Sequence, residues 1–330
     1  MLKKKKLLFI SAYSASFVMQ DLKILANHFQ VKEAFFPKAR SKGLFYTAYT
    51  ALSIMLGVLS TDITYAVFAD LRAFFAVFWC KFFNKKIVVL VGGYETAALP
   101  DINYGGMLKK GQASRFKYVL KNADLVLTYS DFSKEEVIAV QKVNRIQTLY
   151  LGIENEPASV ESKEDIVVTI GDSTPSKWKL KGLDTFARAT AAFPGMKIII
   201  IGNYTENIRS ELLKLNSQLE FTGYISRNEV DTILSKAKVY CQLSRRESFG
   251  LSVLEAMKFG AIPVVTEKGS LPEVVGDTGF FTEYGDVDLT ISAIKKALQD
   301  GSEENARKRA EEDFTIKMRE DRLIELVGNL

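Results

Sequence analysis

Histidine and cysteine are nearly absent: 330 residues hold one His, His28, and two Cys, Cys80 and Cys241. His28 lies in Leu25-Ala26-Asn27-His28-Phe29, near the end of a predicted helix, and reads as a helix-end or surface residue. A mechanism that needs an imidazole base therefore has one poorly placed candidate. The two cysteines sit in separate apolar segments, so they form no disulfide framework and no metal site, and a reduced, cytosolic setting is expected. Long apolar runs are scarce too. Lys3, Lys4, Lys5 and Lys6 precede Leu7-Leu8-Phe9-Ile10, but the run is short and Ser11, Ser14 and Ser16 follow, which suits a first β-strand better than a signal peptide. Residues 43–59 come nearest to a membrane span, yet Tyr, Thr and Ser interrupt a stretch at the lower limit for crossing ~30 Å of hydrocarbon. A buried or interfacial helix is expected there. No solenoid-like repeat and no RNA- or DNA-binding signature is present, so no nucleic-acid partner is expected.

What is present is an ordinary globular composition, 47% hydrophobic and 25% charged, long enough for two cores. Charge is divided unevenly. Residues 1–150 carry 21 Lys+Arg against 10 Asp+Glu, a net +11, and the remainder 23 against 29, a net −6. A basic first half suits an anionic membrane surface or a lipid phosphate, and plain solubility accounts for it equally. With Lys38, Arg40 and Lys42 before residues 43–59, a peripheral membrane contact and a core helix of the first domain are both open.

Strand and helix patterns alternate along the chain. Residues 63–68, 87–91 and 125–130 read as strands, 71–83 as an aromatic-rich helix, and Ser133 as the start of another. Around 151–165 the periodicity lapses through Gly152 and Pro157, which marks a domain boundary. A second series follows, with strands at 166–170, 197–201, 219–222, 239–243 and 262–266. Alternating βα units predict parallel sheets with helices on both faces, hence an α/β fold of two Rossmann-like, doubly wound domains. Such sheets place ligands at the carboxyl ends of their strands.

One stretch organises the rest: Arg246-Glu247-Ser248-Phe249-Gly250-Leu251-Ser252-Val253-Leu254-Glu255, continuing to Gly260 and Pro263-Val264-Val265. Two carboxylates stand eight positions apart across a loop entering a helix. Gly250 allows close backbone approach, and the apolar spacing from Leu251 predicts that the helix begins there. Its unpaired N–H groups favour phosphate, and Glu247 and Glu255 can hold hydroxyls on either side of it, which describes a nucleotide-sugar. The stretch resembles the E-x7-E segment of retaining GT-B glycosyltransferases of family 4, the glycosyl transferases group 1.

The resemblance implies the GT-B fold, two Rossmann-like domains facing a central cleft: residues 1–152 binding acceptor, 153–313 binding the nucleotide-sugar, and 314–330 returning as a helix to the first domain. It implies retaining, metal-independent transfer from a nucleoside diphosphate sugar, with no other cofactor, to a glycan, lipid-linked or other hydroxyl acceptor. The setting is the cytoplasm, or the inner face of the membrane as a peripheral protein. Glu255 would hold the ribose, Glu247 the donor sugar, and the N–H groups about Ser248, Phe249, Gly250, Leu251 and Ser252 the sugar and β-phosphate. Lys181 of the family's Lys-Gly pair would neutralise the diphosphate. Gly171, Gly202 and Gly223-Tyr224-Ile225 end strands where the nucleotide would lie, with main-chain groups of the last holding the base. Where relatives carry an arginine after the strand's glycine, this chain has Asp172; Lys177 or Lys179 could replace that cation, and Arg245 or Arg246 could meet phosphate. A first-domain histidine common in the family is replaced by Gly92-Gly93-Tyr94-Glu95, read as a tight turn followed by an exposed carboxylate, so that Tyr94 or Glu95 would contact sugar or acceptor instead. Ser14 and Ser16, in a small-residue loop spanning residues 11–17, would leave room for acceptor. Two other readings stay open: a further GT-B enzyme, such as an epimerase or inverting transferase, and a non-catalytic nucleotide-sugar-binding or membrane-docking module.

Overall fold

A computed structural model describes residues 4–36, 43–154 and 162–330. Lys3, Lys38, Arg40, Lys42 and Pro157 lie outside these described residues. The chain divides into two compact units, Met1–Tyr150 with Lys317–Leu330, and Leu151–Ile316.

In the first unit the elements run β1 (Lys6–Ser11), α1 (Ser16–His28), β2 (Gln30–Phe35), α2 (Leu44–Leu59), β3 (Ile63–Val67), α3 (Leu71–Phe82), β4 (Lys86–Val91), α4 (Lys110–Asn122), β5 (Leu125–Thr128), α5 (Asp131–Val140) and β6 (Ile146–Thr148). In the second they run β7 (Glu164–Ile170), α6 (Leu183–Thr190), β8 (Lys197–Ile201), α7 (Glu206–Leu215), β9 (Leu219–Gly223), α8 (Arg227–Lys236), β10 (Ala237–Gln242), α9 (Leu251–Lys258), β11 (Ile262–Thr266), α10 (Leu271–Val275), β12 (Phe280–Thr282), α11 (Val287–Gln299) and α12 (Glu303–Asp313); α13 (Ile316–Gly328) closes the chain. Each unit holds one six-stranded parallel sheet, ordered β2-β1-β3-β4-β5-β6 in the first and β12-β11-β10-β7-β8-β9 in the second. The α/β architecture is thus the one the alternating pattern dictates. Central strands such as β4, with Ile87 to Val91 buried, are continuous apolar runs because helices cover both faces. β2, β6 and β12 carry weaker apolar patterns and lie at sheet edges, where a strand needs less burial.

Local chemistry sets the helix starts. Asp70 caps α3 by accepting from the Arg72 and Ala73 N–H groups, and Ser226 with Glu229 forms a capping box on α8. The helix expected to open at Ser133 opens at Asp131, because the Ser130 hydroxyl accepts from the Ser133 N–H at 3.0 Å and takes the capping place. Ser16 already belongs to α1, so the first strand-to-helix loop is shorter than residues 11–17.

In each sheet the strand order reverses once. The second sheet turns between β7 and β10, which are neighbours although β8 and β9 separate them in sequence. Loops leaving these two strands diverge at their carboxyl ends and open a crevice, the usual ligand position in such sheets.

Candidate functional site

The crevice of the second unit is flanked by the segment after β7, which carries Gly171 and Lys181, and the segment after β10, which carries Glu247. Lys181 Nζ lies 2.7 Å from Glu247 Oε2, both side chains partly exposed. A buried polar chain backs the carboxylate. The Tyr240 hydroxyl donates to Gln242 Oε1 at 2.6 Å, and Gln242 Nε2 donates to Ser244 Oγ at 2.7 Å and more weakly to Glu247 Oε2 at 3.3 Å. Gln242 alternates with Val239 and Cys241 in an apolar strand, so periodicity alone gave it no signal; it would have stood out as a polar residue at a buried strand position.

The Glu247 backbone is clamped by the loop before α10. Ser270 donates to the Glu247 carbonyl through its N–H at 3.1 Å and its hydroxyl at 3.2 Å. Gly269, at φ +69°, passes so close that a Cβ would sit 2.3 Å from that carbonyl oxygen. Gly269-Ser270 thus holds the residue most central to the candidate site.

Gly250 caps α9 in the left-handed region at φ +94° and supplies no side-chain cap, leaving the first N–H groups of Leu251 and Ser252 to a ligand or water. The Phe249 side chain is buried, edge-on to Phe314 with ring centroids 5.8 Å apart, so it packs in the core of the unit and its main chain is what it can offer a ligand. Glu255, on the same helix, is ion-paired with Arg227 through Oε1, and Arg227 Nε pairs with Asp231 at 2.9 Å. Burial raises the Glu255 pKa, and Arg227 opposes that rise. Arg227 lies 28 residues from Glu255 and carries no motif, which is why the sequence does not reveal the pair.

The remaining loops gather near the same strand ends. Gly202 follows β8, Gly223 closes β9, Tyr224 is 83% exposed and Ile225 half-buried. Asp172 accepts from the Asn203 N–H at 3.1 Å and pairs with Lys177 at 2.6 Å. Burial would raise its pKa, but Lys177 and Asn203 together hold it below the usual carboxylate value. Lys179 lies over the Trp178 ring at 5.4 Å, Arg245 over Tyr284 at 5.9 Å, and Arg246 reaches Ser248 Oγ at 3.4 Å. Among the described residues no group of His, Cys, Asp and Glu could hold a metal ion.

In the first unit the sheet reverses between β1 and β3. Ser14 and Ser16 are exposed beyond β1. Gly92 and Gly93 turn the chain after β4, with the Phe68 ring occupying the space a Cβ on Gly92 would need, and Tyr94 is 40% exposed. Glu95 corrects the expectation of an exposed carboxylate: it is half-buried and turned onto the backbone, accepting from the Ala69 N–H at 3.0 Å and the Gly92 N–H at 3.4 Å. Burial pushes its pKa up. Of the four residues in that turn, Tyr94 offers the exposed side chain.

Residues 153–313 match the family of glycosyl transferases group 1. The O-antigen chain mannosyltransferase B of Escherichia coli is 27% identical over 209 residues, 56% of this chain and 54% of that protein. The chain spans about half the length of several curated relatives it matches. Sucrose-phosphate synthase from Thermosynechococcus elongatus superposes with a TM-score of 0.82 at 15% identity, over 99% of both chains. HepE from Anabaena, solved in complex with UDP-glucose, gives 0.77 at 16% identity over 99% of this chain and 100% of that one. At such identities the likeness is one of fold, and the fold is GT-B.

Proposed function

We propose that the chain is a retaining, metal-independent glycosyltransferase of the family 4 type, moving a sugar from a nucleoside diphosphate sugar to a hydroxyl of a glycan or lipid-linked acceptor. The observation that carries this reading is the Lys181–Glu247 pair at 2.7 Å, set at the crevice of the second sheet beside a glycine-capped helix that also bears Glu255. The match of residues 153–313 to glycosyl transferases group 1 supports it, as does the nucleotide-sugar bound by a neighbour of the same fold.

In this reading Leu151–Ile316 binds the donor and the first unit the acceptor. Glu255 accepts from the ribose hydroxyls and Glu247 from the donor sugar. The α9 N–H groups and Lys181 stabilise the negative charge that grows on the β-phosphate as the anomeric C–O bond breaks. The acceptor oxygen forms its new bond on the same face and its proton passes to the departing phosphate, so no enzymic nucleophile is required. Gly171, Gly202 and the main chain of Gly223-Tyr224-Ile225 border the nucleotide. Lys177, which pairs with Asp172 while its side chain stays exposed, or Lys179 serves the diphosphate in place of the arginine this chain lacks, and Arg246 reaches phosphate. Ser14, Ser16 and Tyr94 face the acceptor, and Glu95 acts on it only through the backbone it holds. The net +11 of residues 1–150 suits an anionic membrane surface as partner.

The test is turnover of a panel of nucleoside diphosphate sugars with glycan and lipid-linked acceptors, reading the anomeric configuration of the product. Retained configuration without added metal is expected. Inversion would sink the retaining mechanism, and binding without transfer or hydrolysis would sink the enzyme reading.

A further inference from the structure

The first unit carries an apolar face on α2. Phe45, Tyr49, Leu52, Leu56 and Leu59 recur at alternating steps of four and three and are 89, 58, 53, 55 and 48% exposed. Thr50, Ile54, Gly57 and Val58 form the opposite, buried side, so the outward stripe is not the one that packs on the sheet. α3 lies alongside: the Trp79 indole donates to the Ala51 carbonyl at 3.0 Å, and Phe82, 70% exposed, stands edge-on to Trp79. Helix α2 contains no charged residue and α3 no carboxylate. Among the described residues, no helix is long and apolar enough to cross a membrane.

Where the stripe ends at Leu59, a concavity of about 340 Å³ is lined by Lys4, Lys5, Lys6 and Lys85, with Leu59, Ser60, Thr61 and Asp62. Asp62 accepts from the Lys6 backbone N–H at 2.8 Å, and Lys4 Nζ donates to the Asn27 carbonyl at 2.6 Å. The ammonium groups of Lys5, Lys6 and Lys85 have no partner among the described residues. Four cations against one carboxylate border a face made of leucine and aromatic rings.

We infer that this face docks on an anionic lipid bilayer, the α2 stripe lying in the boundary between headgroups and acyl chains and the Lys5, Lys6 and Lys85 ammonium groups meeting lipid phosphates. The inference rests on the proposed lipid-linked or membrane-borne acceptor and names the surface that meets the membrane. A stripe of this length rises ~21 Å along the helix, which suits a helix lying in the interface plane with its apolar side sunk about 5–10 Å. Tryptophan beside the stripe suits that depth. A second copy of the chain is the poorer occupant, because its equivalent face brings lysines and no carboxylate on α2 or α3 to receive these. Anionic lipid brings both the apolar layer and the missing negative charge.

Co-sedimentation of the full chain with vesicles of phosphatidylcholine alone, and of equal parts phosphatidylcholine and phosphatidylglycerol, tests this. The wild type should sediment with the anionic vesicles, less so at high salt. Leu52→Gln/Leu56→Gln and Lys5→Glu/Lys85→Glu should each lower partitioning at least about tenfold. Both variants should keep the wild-type thermal shift with nucleoside diphosphates, which shows that they fold. Variants that bind the anionic vesicles as well as the wild type overturn the inference. So does a wild type that binds neither vesicle, or one that instead forms a dimer lost in the leucine variant. Absence of any nucleotide shift in the wild type would count against the proposed function and leave the vesicle result standing.

Discussion

Glu247 and Glu255 differ in their surroundings more than in their spacing. Glu247 is held from behind by Gln242, from the side by Lys181 and along its backbone by Ser270, so its carboxylate is aimed. Glu255 is enclosed and ion-paired. If they hold opposite ends of one donor, Glu255→Ala should weaken a nucleoside diphosphate and its sugar conjugate alike, by about tenfold or more for a lost charge-assisted bond. Glu247→Ala should weaken only the conjugate. Calorimetry with both ligands separates them, and equal losses for both variants would contradict the roles. A pH dependence follows from Glu255. Its folded pKa is raised by burial, so the folded carboxyl keeps its proton to a higher pH than the unfolded one. Its contribution to stability accordingly falls as pH rises from the ordinary value of 4.5 through the raised value. If Glu255 holds the ribose as proposed, its ionised form accepts from the hydroxyls, and nucleotide affinity should decline as pH drops through that raised value. Arg227→Met removes the cation that pulls the pKa down, and the decline should begin at a higher pH; an unshifted profile would show that Arg227 does not tune Glu255.

The site's loops are set by backbone conformation that only particular residues adopt. Gly269 combines φ +69° with a path against the Glu247 main chain, whereas Gly195 has φ +87° with open space around it. Gly195→Ala should cost only backbone strain, about 1–3 kcal/mol. Gly269→Ala must in addition displace the Glu247 backbone, so it should lower stability further and weaken the sugar conjugate. Urea unfolding and ligand titration of the two variants test this, and equivalent behaviour would mean that the clamp on Glu247 is incidental. A glycine in a loop is visible in the sequence, but the backbone it passes is not, and so this loop's bearing on Glu247 was not legible. The start of α9 was legible, because Gly250 and the apolar spacing after it both announce it.

For the whole chain, the C-terminal helix is tied to the first unit by buried charge. Arg319 on α13 meets both Asp21 oxygens, at 2.7 and 2.8 Å, and donates to the Leu149 carbonyl at 2.8 Å; the Tyr65 hydroxyl adds a 2.8 Å bond to Asp21. Burial raises the Tyr65 pKa well above its ordinary value, so that phenol stays a donor. Arg319→Ala leaves Asp21 buried and uncompensated, and should cost about 3–5 kcal/mol in urea unfolding. Asp21→Asn/Arg319→Met should recover much of that loss; a double variant as unstable as the single one would mean that packing of the arginine stem, and not charge, holds the helix.

The sequence by itself determined the α/β class, the succession of βα units, most central strands and the Glu247 to Glu255 segment, because these rest on local periodicity and on residues close together in the chain. Tertiary structure alone decided which strands are neighbours, that Lys181 meets Glu247 across 66 residues and Arg227 meets Glu255, that Glu95 turns inward, and which side of α2 faces out. Each of those depends on the order in which parallel strands assemble. A βαβ crossover can place its next strand on either side of the sheet, and local pattern does not choose between them. The glutamates were legible as a pair, and the fold supplied each with its own basic partner.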